Sequence, residues 1–356
     1  MDNPTPDTLA AWLDERAAAG LFSGVVLVRT GTATRFAHAA GLASRAHGVP
    51  NTLDTRFAVA SVTKWPVATS TLRLVERGVL DLQTPVLDLL ATEHWPSALT
   101  PAHTLHHLLS MTSGLANYYD DDDPTWDTFE AAIARLPGRG RHPAALVPLF
   151  ADLPANRPPG EAYEYSDTNF VLVGLILEAV TGEGWADVVS REVLVPAGLT
   201  DTGVDPMDSD PARAATGYLV DDGPAERRRT NIFSVTANPM PDGGMLTTAD
   251  DLARFVRALL DGRLLGPGLL GAMRTPHAPL TGEPEAYGYG CLLTVDGGRV
   301  TSMGHGGGDP GVSCMVAHHL DADTTIIVLC NQDRGAWAAT TAATTAFGLR
   351  DPRADA

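Results

Sequence analysis

The chain has 356 residues, of which 44% are hydrophobic and 19% are charged, so it is long enough to bury a sizeable core. Its formal net charge of −18 repels nucleic acid and anionic membrane surfaces, and we expect neither as a partner. Because we see no secretory signal, no apolar run of the ~18 residues that span a bilayer and no C-x-x-C pair, we expect a cytoplasmic protein with free thiols.

Strand patterns at both ends of the chain enclose a mostly helical middle. A short amphipathic helix is predicted over 8–19, and strands over 22–29 and 33–39 are joined into a hairpin by Gly31-Thr32. Helical patterns follow over 65–77, 101–109, 144–153, 170–180, 187–195 and 249–260, with a polar hairpin candidate around 221–223. The last third predicts strands over 287–295, 300–303, 313–318 and 325–329, and a final helix over 337–347.

This order of elements predicts an α/β (α+β) fold, with one antiparallel sheet built from both termini and flanked by helices. Within a single domain of 1–356, we expect an α/β lobe over about 1–65 and 240–350 and an inserted all-α lobe over about 66–239. A cleft between two lobes is a common place for a ligand site. We expect its walls to include Tyr118, Tyr119, Trp126, Ile232 and Phe233.

The stretch Ser61-Val62-Thr63-Lys64 ends an apolar run and begins a helical pattern. Positions i and i+3 share a helix face, so the Ser61 hydroxyl and the Lys64 amine can meet. A serine becomes a strong nucleophile when a base takes its proton, and a buried lysine with a lowered pKa is such a base. Taken alone, the pair is more simply a helix-capping serine and a chance lysine.

Two later stretches could complete a catalytic site. Tyr165 lies in a polar turn just before the most apolar helical pattern, where its hydroxyl either enters a cleft or packs and forms a hydrogen bond. His305 lies among glycines, including Gly306 and Gly307, between strand-like segments. Because glycines let a backbone approach a ligand closely, this stretch predicts either a sheet edge that lines a cleft or a glycine-rich hairpin.

Three motifs in this order resemble those of the serine hydrolase superfamily of class C β-lactamases, D-Ala-D-Ala carboxypeptidases and β-lactamase-like esterases. That family carries S-x-x-K, then Y-x-N or S-x-N, and then [KH]-[TSG]-G. The stretches here are Ser61-Val62-Thr63-Lys64, Tyr165-Ser166-Asp167 and His305-Gly306-Gly307. The similarity covers about 8–348 of the chain. It implies a β-lactamase/transpeptidase-like fold and a covalent acyl-enzyme mechanism without a cofactor or a metal.

The resemblance also assigns expected roles to residues. Ser61 would be the nucleophile, and Lys64 and Tyr165 would share the general-base and general-acid work. The backbone N–H groups of Ser61 and Gly308 would form the oxyanion hole. Further substrate-binding positions would be Asp167, His305, Gly306 and Gly307. The expected partner is a small-molecule ester, amide or peptide substrate, including amides of D-amino acids, and the sequence leaves the oligomeric state open.

Two positions depart from the family pattern. Asp167 replaces the usual asparagine, and we expect it to pair with Lys64 or to bind a cationic group such as the free amine of a peptide. Such a pair would make Lys64 a poorer base and leave it as the cation that holds a Tyr165 phenolate. His305 replaces a lysine and Gly306 lacks a threonine hydroxyl, which together predict weak or no β-lactam hydrolysis.

Other classes of function remain alternatives with less support. The same mechanism would serve an acyltransferase or a peptide cyclase, and the altered motifs leave open a catalytically inactive binding protein of the same fold. A metal hydrolase is disfavoured because the histidine pairs 106–107 and 318–319 are adjacent, so their side chains point apart. An α/β-hydrolase is disfavoured because the stretch 311–315 only half matches G-x-S-x-G.

Overall fold

Strands from both ends of the chain pair in one central sheet of the computed structural model, which describes residues 4–121, 123–220, 228–278 and 284–350. In chain order the strands are β1 (Gly24–Thr30), β2 (Ala33–Ala40), β3 (Leu42–Ser44), β4 (Val49–Pro50), β5 (Phe57–Ala58), β6 (Tyr218–Leu219), β7 (Arg229–Thr230), β8 (Leu246–Thr247), β9 (Glu285–Tyr287), β10 (Leu292–Asp296), β11 (Arg299–Asp309), β12 (Val312–His319) and β13 (Thr324–Cys330). The central sheet has the order β2-β1-β13-β12-β11-β10-β9, with antiparallel pairing throughout. This arrangement confirms the predicted fold class, because β1 lies directly beside β13.

Helices cover both faces of the sheet and fill the middle of the chain. They are α1 (Leu9–Ala18), α2 (Lys64–Glu76), α3 (Val86–Leu89), α4 (Leu105–Leu109), α5 (Phe129–Ala134), α6 (Val147–Phe150), α7 (Asp167–Thr181), α8 (Trp185–Val189), α9 (Val195–Ala197), α10 (Ala249–Leu260), α11 (Pro267–Met273) and α12 (Ala336–Ala346). Short 3₁₀ turns lie at Ala60–Thr63, Thr92–His94, Pro137–Arg139, Pro143–Ala145 and Asn231–Phe233, and a π turn lies at Ser190–Leu194.

The inner strands have almost continuous apolar runs because both faces of the sheet are covered. Successive side chains point to opposite faces, so Val26 and Val28 pack with α1 and α12, whereas Val25 and Leu27 join the core on the other face. That larger core also contains most of α7, whose residues from Asp167 to Leu177 are all buried. The burial of α7 explains why its sequence lacks an amphipathic pattern.

Most predicted elements are confirmed, with boundaries shifted by a few residues. The predicted strand over 287–295 divides into β9 and β10, because the chain turns at Gly290. Gly290 has a φ of +67°, its N–H donates to the Leu109 carbonyl, and a Cβ there would lie 2.2 Å from the Cβ of Ala68. The predicted helix over 187–195 is broken by the π turn, and the hairpin candidate around 221–223 lies outside the described residues.

The glycine-rich stretch around His305 continues β11 to its end at Asp309. The β10 strand pairs with β11 only as far as Leu292 opposite Gly304, while β11 pairs with β12 up to Asp309 opposite Val312. Residues 305–309 therefore form a sheet edge, which confirms one of the two predicted alternatives.

The three cysteines, Cys291, Cys314 and Cys330, are free, as the sequence predicted, and all three are buried. Across the described ranges of the chain, we find no helix with the length and apolar character needed to cross a membrane.

Candidate active site

Ser61 lies in the 3₁₀ turn Ala60–Thr63, immediately before α2 begins at Lys64. The preceding residue, Ala60, has a φ of +42°, a strained conformation for a residue other than glycine. The turn is held from behind, because the Thr63 hydroxyl accepts a hydrogen bond of 3.1 Å from the N–H of Met245. Ser61 is partly exposed while its neighbours are buried, so the turn presents the hydroxyl to a cleft.

The predicted meeting of Ser61 and Lys64 is observed. Lys64 is 0% exposed, and its Nζ lies 2.9 Å from the Oγ of Ser61. The same ammonium donates to the backbone carbonyl of Asp242 at 2.5 Å and forms an ion pair with the Oδ1 of Asp167. An ammonium has three protons to donate, so these contacts satisfy the Lys64 side chain completely.

Tyr165 lines the same cavity as this serine. The Lys64 Nζ lies 5.2 Å from the centre of the Tyr165 ring. Burial raises the pKa of Tyr165 well above its ordinary value, and the charge of Asp167 raises it further. This direction opposes the expected phenolate, because the carboxylate that pairs with Lys64 also acts on the phenol.

Two buried carboxylates and two tyrosines form a polar layer beneath Lys64. The hydroxyl of Tyr119 donates to the Oδ2 of Asp167 at 2.8 Å, and the hydroxyl of Tyr118 donates to the Oδ2 of Asp242 at 2.7 Å. Burial raises the pKa of Asp242 to about 6. Both oxygens of Asp167 thus already accept from Lys64 and Tyr119, which leaves the carboxylate less available to a cationic substrate.

Asp242 is a site residue that none of the three motifs marks. It lies 178 residues from Lys64 along the chain, and its backbone carbonyl is the atom that contacts the lysine. Any residue type has a backbone carbonyl, so the sequence does not indicate such a contact. The glycines after Asp242 indicate only that the chain turns there.

The edge of β11 lies directly against the turn that holds Ser61. A Cβ added to Gly307 would lie 2.5 Å from the carbonyl oxygen of Val59 and 3.1 Å from the Cβ of Ala60, whereas one added to Gly308 would meet nothing within 4 Å. Ser61 and Gly308, whose backbone N–H groups are expected to form the oxyanion hole, line a common cavity.

His305 is buried and neutral. One ring nitrogen, Nε2, lies 3.0 Å from the hydroxyl of Tyr287, and the other lies 2.5 Å from the carbonyl oxygen of Gly306. Burial first, and the charge of Lys64 second, lower the pKa of His305 to about 3. A fixed positive charge is therefore absent from the position where the family pattern has a lysine.

Ser61 and Tyr119 separate two cavities. The first, of about 470 Å³, we call the glycine-strand cavity, and its other lining residues are Tyr165, Glu285, Leu292, His305, Gly306, Gly307, Gly308, Met315 and Trp337. The second, of about 280 Å³, we call the acidic cavity after the five aspartates in its lining, Asp167, Asp205, Asp210, Asp242 and Asp309. Of the expected wall residues, Tyr118, Tyr119 and Ile232 line the acidic cavity, whereas Trp126 and Phe233 line neither.

The close approach of β11 yields a test of the site geometry. Gly307→Ala is expected to lower kcat/KM about 100-fold, because its methyl group must displace the backbone beside Ser61 by about 1 Å. The matched variant Gly308→Ala, on the same strand, is expected to keep the parent stability within about 0.5 kcal/mol. Thermal unfolding and steady-state kinetics check both. A Gly307→Ala enzyme with parental kcat/KM would contradict the described contact.

The beta-lactamase family model matches residues 9–349, which is nearly the whole chain. The chain belongs to the beta-lactamase family. The chain is 30% identical to the esterase EstB of Burkholderia gladioli over 296 residues, which cover 76% of this chain and 74% of that protein. The chain spans 64 to 68% of the length of four other curated relatives.

Solved structures of beta-lactamase-fold proteins superpose on the chain over almost its full length. A penicillin-binding protein from Bacillus halodurans has a TM-score of 0.85 at 32% identity, with 94% of this chain and 99% of that one covered. A D-stereospecific amidohydrolase from a Streptomyces species has a TM-score of 0.78 at 28% identity, with 98% and 100% covered. The chain is thus similar to hydrolases of esters and of amides within the family.

Proposed function

We propose that the protein is a serine hydrolase that forms an acyl-enzyme on Ser61 from a small ester or amide, including amides and peptides of D-amino acids. The observation that carries this proposal is the hydrogen bond of 2.9 Å from the buried Lys64 Nζ to the partly exposed Ser61 hydroxyl, at a cavity that Tyr165 also lines. A structural serine needs neither a fully buried lysine nor a cleft, and Ser61 has both.

In the proposed acylation, the pair formed by Lys64 and Tyr165 reacts in the form that has lost one proton, and it takes the proton of the Ser61 hydroxyl as the Oγ bonds to the substrate carbonyl carbon. The bond from the carbonyl carbon to the leaving group then breaks, and the leaving group takes the proton. In deacylation, water gives a proton to the pair formed by Lys64 and Tyr165 as its oxygen bonds to the acyl carbon. The bond from the acyl carbon to the Oγ of Ser61 then breaks, the carboxylic acid is released, and the Oγ takes the proton back. A neutral Tyr165 phenol suits the donation to the leaving group, because burial and Asp167 disfavour its ionised form.

Charge that develops on the carbonyl oxygen would be stabilised by the N–H groups of Ser61 and Gly308. The N–H of a 3₁₀ turn and that of a sheet edge are held by the backbone, so they need no rearrangement during the reaction. Each such donor contributes roughly 3 to 4 kcal/mol to stabilising a transition state in serine hydrolases.

The ionic character of the site makes a carboxylate-bearing β-lactam a poor substrate. No lysine or arginine belongs to the lining described for either cavity, His305 is neutral, and Lys64 is already paired with Asp167. We expect kcat/KM for nitrocefin to remain at least about 100-fold below the ~10⁶ M⁻¹s⁻¹ of an efficient enzyme. Hydrolysis of p-nitrophenyl acetate by the same preparation provides the control, and efficient nitrocefin turnover would contradict the assignment.

The proposal is tested with a panel of p-nitrophenyl esters and D-amino acid amides, assayed with the parent and with Ser61→Ala. Turnover by the parent that disappears in the variant supports a serine hydrolase. If no member of the panel is turned over and no acylating probe modifies Ser61, the binding-protein alternative replaces this proposal.

A further inference from the structure

The two cavities beside Ser61 are not equivalent for the proposed reaction. The side chain of Tyr165 lines the glycine-strand cavity but not the acidic cavity. If Tyr165 protonates the leaving group, the leaving group occupies the glycine-strand cavity. The acyl part of the substrate, on the other side of the carbonyl carbon, then extends into the acidic cavity.

The acidic cavity has an unbalanced charge. Five aspartates line it, and no lysine, arginine or histidine belongs to its described lining. Two of these carboxylates have cationic partners, because Asp167 pairs with Lys64 and Asp205 pairs with Arg56. In the described parts of the chain, the Asp309 side chain has neither a hydrogen bond nor an ion pair.

Two further acceptors in this lining lack donors. Asp242 is only 6% exposed, and its Oδ1 is buried without a hydrogen-bond partner among the described residues. Asn331 is 3% exposed, and its Oδ1 is likewise unpartnered although its amide nitrogen bonds three backbone carbonyls. Buried acceptors normally have donors, which an ordered water or a ligand would supply to these two oxygens.

We propose that the acidic cavity binds the ammonium group of an α-aminoacyl substrate, with Asp309 as its ionic partner. This inference rests on the proposed function and narrows its substrate class to esters and amides whose acyl part carries a free amine. An ammonium provides three donors and a positive charge, which match the carboxylate of Asp309 and the excess of aspartates in this lining.

The environment of Asp309 favours such a ligand. Burial first, and the charge of Asp167 second, raise the pKa of Asp309 to about 8. A cation beside Asp309 would offset both effects and return the carboxyl to its ionised form. The remaining lining includes the apolar residues Phe129, Ile232, Val235 and Met240, which suit the side chain of an amino acid.

The test compares two racemic substrates that differ in one group, phenylalanine ethyl ester and phenyllactic acid ethyl ester, in which a hydroxyl replaces the amine. The parent enzyme is expected to have a kcat/KM at least about 10-fold higher for phenylalanine ethyl ester than for phenyllactic acid ethyl ester. This ratio corresponds to the contribution of one charge-assisted hydrogen bond to the ammonium. In Asp309→Asn this preference is expected to disappear, mainly through a higher KM for phenylalanine ethyl ester.

The control variant is Asp321→Asn, which also removes one carboxylate but from an exposed ion pair with Arg299. It is expected to keep the parental preference. If Asp309→Asn does not fold, the parental ratio alone still tests the proposal. Equal kcat/KM values for the two esters in the parent, or an unchanged preference in a folded Asp309→Asn, would overturn it.

Failure of this inference differs from failure of the proposed function. If p-nitrophenyl acetate is hydrolysed through Ser61 but the amine gives no advantage, the serine hydrolase stands and the ammonium site is wrong. If neither p-nitrophenyl acetate nor the two ethyl esters acylate Ser61, both proposals fall together.

Discussion

Replacing Ser61 by alanine is expected to lower kcat for every ester or amide substrate by about 10⁴-fold or more, as when the nucleophile of a serine hydrolase is removed. The Oγ of Ser61 accepts a hydrogen bond from the Lys64 Nζ, which lies beside the Tyr165 ring, so a hydroxyl elsewhere would lack this partner. Intact-mass spectrometry after treatment with a fluorophosphonate should show one added phosphonyl group in the parent and none in Ser61→Ala.

A serine close by provides a matched control. Ser166 lies between Tyr165 and Asp167, is buried, and has a hydroxyl without a hydrogen-bond partner among the described residues. Ser166→Ala therefore removes an unsatisfied group and is expected to retain both labelling and folding. Equal labelling of the parent and Ser61→Ala would show that the reactive residue lies elsewhere.

Replacing Lys64 by methionine is expected to damage stability and activity together. The substitution leaves the Asp167 carboxylate buried without its cation, and loss of one partner of a buried pair typically costs about 3–5 kcal/mol. Loss of a group that shares the acid–base work is expected to lower kcat by about 10²- to 10⁴-fold. Chemical denaturation and steady-state kinetics measure the two effects independently.

The double variant Lys64→Met/Asp167→Asn separates these effects. Without the uncompensated carboxylate, most of the lost stability is expected to return, whereas the activity is not. Asp321→Asn breaks an ion pair whose side chains are 62% and 65% exposed, and is expected to cost at most about 1 kcal/mol. If Lys64→Met costs no more than this surface variant, the Lys64–Asp167 pair does not stabilise the fold.

Asp167 acts on both Lys64 and Tyr165, and the motifs indicated only its effect on Lys64. The motif spacing correctly placed Asp167 beside Lys64, and the expected effect on the lysine followed from charge alone. The motifs gave no account of how the Asp167 charge and burial act on the Tyr165 phenol. Burial and the Asp167 charge both raise the pKa of Tyr165 and so oppose a phenolate. Lys64 and Tyr165 are therefore better regarded as one unit that shares a proton.

Trp337 is a second residue of the site that the sequence did not indicate. As the second residue of a terminal helix it carried no functional signal in the sequence. In the fold, its ring lies over Gly306, where a Cβ would approach within 3.2 Å, and it forms one wall of the glycine-strand cavity. The wall exists because α12 packs against β12 and β13.

By itself, the sequence determined the fold class, the order of the strands in each terminal segment and the position of Ser61 relative to Lys64. These features depend on local spacing and on the alternation of apolar residues, which are properties of short stretches of chain. Only the tertiary structure decided which acceptors surround the Lys64 ammonium, which cavity Tyr165 faces, and that Asp309 lacks a partner. Those features arise from contacts between residues over 100 positions apart, where burial and the direction of each side chain depend on the packing of the whole molecule.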